Sequence, residues 1–133
     1  MTLEEAFPEV DSGVEALGGR VLLQLKLIPK SSKGGIILVD ETKDTERVQS
    51  VVGKVVSVGP LAFMNRETAQ PWIEGSWVVP GDFVRTPRWS GDRFSVPHPS
   101  NENELIDFQI LNDYELWCKV KPEVVNKMKA FVL

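Results

Sequence analysis

The sequence predicts an all-β domain, a small β-barrel, and three observations carry that expectation. Short aliphatic and β-branched runs recur at close spacing between residues 20 and 120. Gly, Pro, Asn and Asp residues punctuate them as turns do. No run alternates strand and helix patterns as a βαβ chain would.

The first 18 residues stand apart as an N-terminal extension. Thr2 and Glu5 have the spacing of a capping box, and Pro8 ends any helix early, so a short, weakly structured segment is expected. The barrel domain spans residues 19–120. Its first strand begins at Arg20 and places Val21, Leu23, Leu25 and Leu27 on one face until Pro29 stops it. Residues 51–58 form a second β-branched strand, ended by Gly59-Pro60. A less regular stretch from Leu61 to Gly75 carries Phe63, Met64 and Trp72. Residues 76–79 read as a short strand before Pro80-Gly81-Asp82. Phe83-Val84-Arg85 and residues 93–96 flank Ser90-Gly91-Asp92, the signature of a hairpin turn. Leu105–Leu111 and Glu115–Val120 are the last strands, with Asn112-Asp113 between them. The C-terminal extension, 121–133, suits a short helix. Pro122 fits a first helical position, and Val124, Val125, Met128, Phe131 and Val132 fall roughly on one face.

Composition excludes several functions. The formal net charge is -4, which argues against a nucleic-acid binder that must neutralise phosphates. No apolar run is long enough to span a membrane. The acidic start lacks a secretory pattern, so a cytoplasmic location is expected. Cys118 is the single cysteine, which rules out an internal disulfide framework, and it reads as a small buried residue. His98, the only histidine, lies between two prolines with no base-and-orienter arrangement around it. One His and one Cys do not make a zinc site. Asn101, Glu102, Asn103, Glu104 and Asp107 lack calcium-loop spacing and read as a solvated face. Gly53-Lys54 is not a phosphate loop, because Val48 and Val55 stand where a glycine and a hydroxyl residue are needed. No catalytic residue, metal or cofactor is expected, and the chain reads as a non-enzyme. Trp72, Trp77, Trp89 and Trp117 read as core or subunit-interface residues.

The long interval from about residue 29 to 50 is different. Gly34-Gly35 precede Ile36, Ile37 and Leu38. This aliphatic island is either a buried strand or a hook for a partner. Lys30–Lys33 before it is polar and basic, and six of the eight residues from Asp40 to Arg47 are charged. Such flanks bury too little apolar surface to offset their ordering entropy, which favours the hook. Burying one Ile or Leu contributes roughly 1.5–3 kcal/mol, and fixing each backbone residue costs roughly 1–2 kcal/mol. A single copy therefore binds weakly. Several copies on one assembly gain about 10²–10⁴ by avidity.

Taken in order, these pieces resemble a co-chaperonin of the GroES type. Residues 20–23 resemble that family's first strand, and Gly34–Leu38 its mobile loop with an apolar tripeptide. Gly53-Lys54-Val55-Val56-Ser57-Val58-Gly59 resembles its G-x-V-x-x-V-G strand, and Gly81-Asp82-Phe83-Val84 its G-D-x-V turn. Asp107–Trp117 resembles the closing segment. The resemblance implies a homo-heptameric ring of β-barrels that caps an ATP-bound GroEL-type chaperonin and encloses an unfolded client. It implies that Gly34, Gly35, Ile36, Ile37 and Leu38 bind the chaperonin's apical domains. It also implies that the first strand pairs with a neighbour's last strand, so that Arg20, Val21, Leu22, Leu23, Leu116, Trp117, Lys119 and Val120 are interface candidates.

Several features depart from the family pattern. Gly19 stands where an acidic residue is usual, the loop is longer and more charged, and no roof hairpin is recognisable after Gly59. Both ends are extended. In this the chain resembles the diverged co-chaperonins of bacteriophages, which act in the host cytoplasm. The alternative reading is a small β-barrel phage structural or assembly module that uses its tryptophans as a contact surface.

Overall fold

The computed structural model describes residues 2–27 and 50–127. A single helical turn, α1 (Leu3–Ala6), precedes six strands: β1 (Arg20–Leu25), β2 (Ser50–Val58), β3 (Phe83–Pro87), β4 (Asp92–His98), β5 (Asn101–Asn112) and β6 (Cys118–Val120). They form one antiparallel sheet in the order β4-β5-β1-β2-β3-β6. The predicted all-β class is observed. Central β1 pairs on both sides, with Val21 opposite Val58 of β2 and Leu111 of β5.

Strand alternation explains the core. Val21, Leu23 and Leu25 point one way and join Val51, Val55, Val84 and Leu111 in the largest apolar cluster, capped by Phe63, Val78 and Leu116. The other face is buried too. Leu22 packs with Ala16, Ile106 and Phe108. Val52 and Phe83 pack with Ala6, Phe7, Val120 and Val125. Burial on both faces gives β1 its nearly unbroken apolar sequence.

The cover on that second face comes from both ends of the described chain. Thr2 caps α1, its Oγ1 accepting the Glu5 N–H at 3.2 Å. Leu27 N–H donates to Ala6 O at 2.8 Å, and Gln24 Nε2 donates to Pro8 O at 2.8 Å. The predicted extension has little regular structure, yet Ala6, Phe7 and Ala16 are buried. Packing, not hydrogen-bonded regularity, orders it. At the other end Pro122–Lys127 forms a 3-10 turn in place of the start of an α-helix, and its Val125 is fully buried. Met128, Phe131 and Val132 lie outside the described residues.

Four local expectations are corrected. Residues 76–79 are not a strand. Ser76 Oγ donates to Val78 O at 2.8 Å and Val79 N–H to Asp82 Oδ2 at 3.0 Å, so side chains replace the ladder ahead of Pro80. The turn at Ser90-Gly91-Asp92 does not close a hairpin. β3 pairs with β2 and β6, whereas β4 pairs with β5. The last strand shrinks to three residues because Asp113–Glu115 winds into a 3-10 turn, where Glu115 Oε1 accepts the Asn112 N–H at 3.0 Å. Finally, residues 63–72 do form a small hairpin. Met64 bridges Pro71, Trp72 N–H donates to Phe63 O, and Asn65 Oδ1 accepts the N–H groups of Glu67 and Thr68.

Candidate interaction surfaces

Gly34, Gly35, Ile36, Ile37 and Leu38 lie outside the described residues. The roots of their segment do not. Lys26 N–H donates to Val52 O at 3.0 Å, and Ser50 stands opposite Pro87. Lys26 and Ser50 therefore lie toward the same end of the barrel, Ser50 beside the turn that follows β3.

The interface candidates divide sharply. Val21, Leu22 and Leu23 are fully buried within their own subunit. β1 already carries a partner strand on each side. Within the subunit, then, the N–H and C=O groups of β1 are engaged by β2 and β5. Arg20 is exposed at its start and borders a cleft of about 370 Å³ with Leu61, Met64 and Arg66. Leu116 and Val120 are also buried.

Edge strand β6 is different. Among the described residues it pairs only with β3, and no described strand lies on its other side, the usual template for another strand. Trp117, 60% exposed, and Lys119 flank this edge, and Lys119 Nζ lies 3.4 Å from Asp82 Oδ2. Cys118 is exposed here rather than buried.

The tryptophans fall into two classes. Trp72 and Trp77 pack on Phe63 with ring centroids 5.5 and 5.8 Å away and lie 4.9 Å from each other. Trp89 is 64% exposed, and the Arg88 guanidinium sits over its ring at 4.1 Å. Sequence patterning gave no sign of this split, which depends on where the turns place each ring.

Among the described residues the titratable groups show no converging chemistry. His98 Nδ1 accepts the Ser100 N–H at 2.9 Å and so braces the β4–β5 turn. Asn101–Glu104 belong to β5, and Asp107 takes the hydroxyl of Ser95. Among the described residues no group of three or more His, Cys, Asp or Glu side chains is placed to hold a metal ion. Burial pushes Arg93 below its ordinary pKa, opposed by nearby Asp107 and reinforced by Arg88. Among the described residues no helix is long and apolar enough to cross a membrane.

No curated protein matches the chain. A family model does: the sequence matches the chaperonin 10 Kd subunit over residues 13–109, a span that takes in β1 to β4, the segment from Pro29 to Gln49 and most of β5. With the antiparallel all-β fold and that match over most of its length, the chain belongs to the chaperonin 10 Kd subunit family, the GroES-type co-chaperonins.

Proposed function

We propose that this co-chaperonin is a lid subunit that closes the folding chamber of a GroEL-type chaperonin in its ATP-bound state. Ile36, Ile37 and Leu38 are the anchors that enter an apolar groove on the apical domains, and Gly34-Gly35 let the chain bend toward it. The observation that carries this reading is the family match, whose span of residues 13–109 takes in the aliphatic island. The role needs no catalytic group, because the ATP-driven partner supplies the energy and the lid supplies binding and enclosure of an unfolded client.

Lid function needs several weak hooks acting together, and the reading therefore includes a ring, seven-fold by resemblance to the family. The side of β6 away from β3, which no described strand covers, with Trp117 and Lys119 beside it, supports a subunit contact there. The decisive experiment compares wild type with Ile37→Ser for ATP-dependent complex formation with a GroEL-type chaperonin. Wild type is expected to bind and Ile37→Ser to lose binding. Equal binding by both overturns the loop assignment.

A further inference from the structure

The cleft beside Arg20 brings together two arginines from parts of the chain far apart in sequence. Arg20 opens β1, and Arg66 lies in the turn of the small hairpin at residues 63–72. Each stands on backbone that is already held. Arg20 N–H donates to Leu17 O at 3.2 Å, and Arg20 O accepts the Gly59 N–H at 2.8 Å. Around Arg66, Asn65 Oδ1 accepts the Glu67 and Thr68 N–H groups, and Asn65 O accepts the Ala69 N–H at 2.8 Å. Arg66 also reaches back toward β1: a Cβ added at Gly19, the residue before Arg20, would lie 3.7 Å from Arg66 Nη2.

Both arginines are exposed, and among the described residues neither guanidinium makes an ion pair or a hydrogen bond. Asp113 is the carboxylate next to them. It is buried, and its two oxygens already accept the Phe63 and Tyr114 N–H groups, each at 2.8 Å. Gly18 and Gly19 bring no side chain into the cleft, while Leu61 and Met64 give its lining an apolar part. At about 370 Å³ the space lies near the lower end of the range for ligand pockets, about 300–1,000 Å³. It suits a small molecule. A guanidinium presents a fork of donors that matches the oxygens of a carboxylate or a phosphate.

We propose that this cleft binds a small organic anion, with a carboxylate or phosphate group held between Arg20 and Arg66 and a short aliphatic body against Leu61 and Met64. The site belongs to the single subunit and does not depend on the lid reading. A bound anion joins the start of β1 to the hairpin that carries Phe63 and Trp72, and it stabilises the subunit as any ligand of the folded state does. Gly19 keeps the site open. A Cβ there meets its nearest atoms, Asp113 Oδ2, Arg66 Nη2 and Leu61 O, at 3.6 to 3.9 Å, which is ordinary contact. An acidic side chain at this position therefore fits, and it takes the place of the ligand's oxyanion.

The test titrates the full chain at low salt with hexanoate and with inorganic phosphate, and with hexanol as the uncharged match. Calorimetry and the shift in melting temperature report binding. Wild type is expected to bind both anions, hexanoate the more tightly, and to ignore hexanol. Arg20→Gln and Arg66→Gln are each expected to weaken hexanoate binding at least about tenfold, the scale of one lost charge-assisted hydrogen bond. Gly19→Asp is expected to abolish binding while its thermal melt stays cooperative, and it tests the site independently of both arginines. Added salt should weaken the wild-type affinity. No heat and no melting shift with either anion overturns the site. Equal affinity in wild type and the variants overturns it, and so does hexanol binding as well as hexanoate. A changed oligomer mass for either arginine variant also overturns it, by assigning the pair to a contact with a second copy of the chain.

Discussion

Thr86 and Gln109 meet inside the barrel, with the Thr86 hydroxyl donating to Gln109 Oε1 at 3.2 Å. They lie on β3 and β5, which the sheet order separates by β1 and β2. A flat sheet would hold these strands far apart, at about 4.8 Å per strand step. Their contact shows that the sheet curls, and Gln109 then reaches on to Pro87 O and Ser90 O. A fully buried amide thus ties the two sides of the barrel together and sets the β3–β4 turn.

Breaking that tie has a defined cost. Gln109→Leu removes the partner of the Thr86 hydroxyl and of two carbonyl oxygens and is expected to destabilise the fold by about 1–3 kcal/mol. Thr86→Val should cost less. The double variant should cost less than the sum, because the two residues share one bond. Urea denaturation of the four proteins gives the coupling directly. Additive losses would mean that the pair does not act as a unit.

Asp113 is a second polar residue in the interior. Its Oδ2 accepts the Phe63 N–H and its Oδ1 the Tyr114 N–H, each at 2.8 Å. Phe63 has φ +61, a backbone state rare for a bulky residue, and the Trp72 and Trp77 rings rest on its side chain. Asp113→Ala leaves the Phe63 N–H buried without its partner. A loss of about 1–3 kcal/mol is expected, together with a shift in tryptophan emission as the aromatic group loosens. Unchanged emission would separate Asp113 from that group.

Phe7 holds the N-terminal cover down, its ring centroid 5.1 Å from that of Phe83. Phe7→Ala is expected to cost about 3–5 kcal/mol, the range for truncating a buried aromatic. It should also raise binding of a hydrophobic dye as Val52 and Phe83 are uncovered. A loss below about 1 kcal/mol, the scale of ordinary surface changes, would make the segment a loose tail after all.

Trp117 tests the ring. Its side chain is exposed beside the edge of β6 that no described strand covers, so Trp117→Ala should leave thermal stability of the subunit nearly unchanged. The same change is expected to shift the assembly toward smaller species on dilution, as read by light scattering. An unchanged mass across the dilution series removes Trp117 from the subunit contact. The Lys119–Asp82 pair at 3.4 Å is exposed and adds only about 0–1 kcal/mol, so Lys119→Ala should do much less.

The strands were legible where apolar periodicity was strong. β1 and β2 could be read to within a few residues, because β-branched and aliphatic runs bounded by Gly and Pro leave little choice. Pairing was not legible. Ser90-Gly91-Asp92 has hairpin chemistry, yet Gly91 is needed there for close approach to Ile110 rather than for a hairpin. The N-terminal cover was missed because Ala6, Phe7, Val10 and Ala16 follow no single period. Their burial depends on the second face of a sheet that exists only after folding. The same holds for the central place of β1: Val21, Leu22 and Leu23 read as a strand, but that it carries a partner on each side emerges only from the folded sheet.

Lys26 supplies a pH dependence with a definite sign. Partial burial pushes its pKa below the ordinary value of 10.5, while its Nζ donates to Val125 O at 3.4 Å. Between the lowered folded value and 10.5, the unfolded chain binds more protons at this site than the folded chain. Stability from Lys26 therefore rises with pH through that window and levels off above 10.5. Other groups titrate in the same range, so the measurement is the difference between wild type and Lys26→Met from urea melts at several pH values. Wild type is expected to gain on Lys26→Met as pH climbs from neutral toward 10.5. A flat difference, or one that moves against wild type, would show that burial does not disfavour the charged amine where the two terminal segments meet.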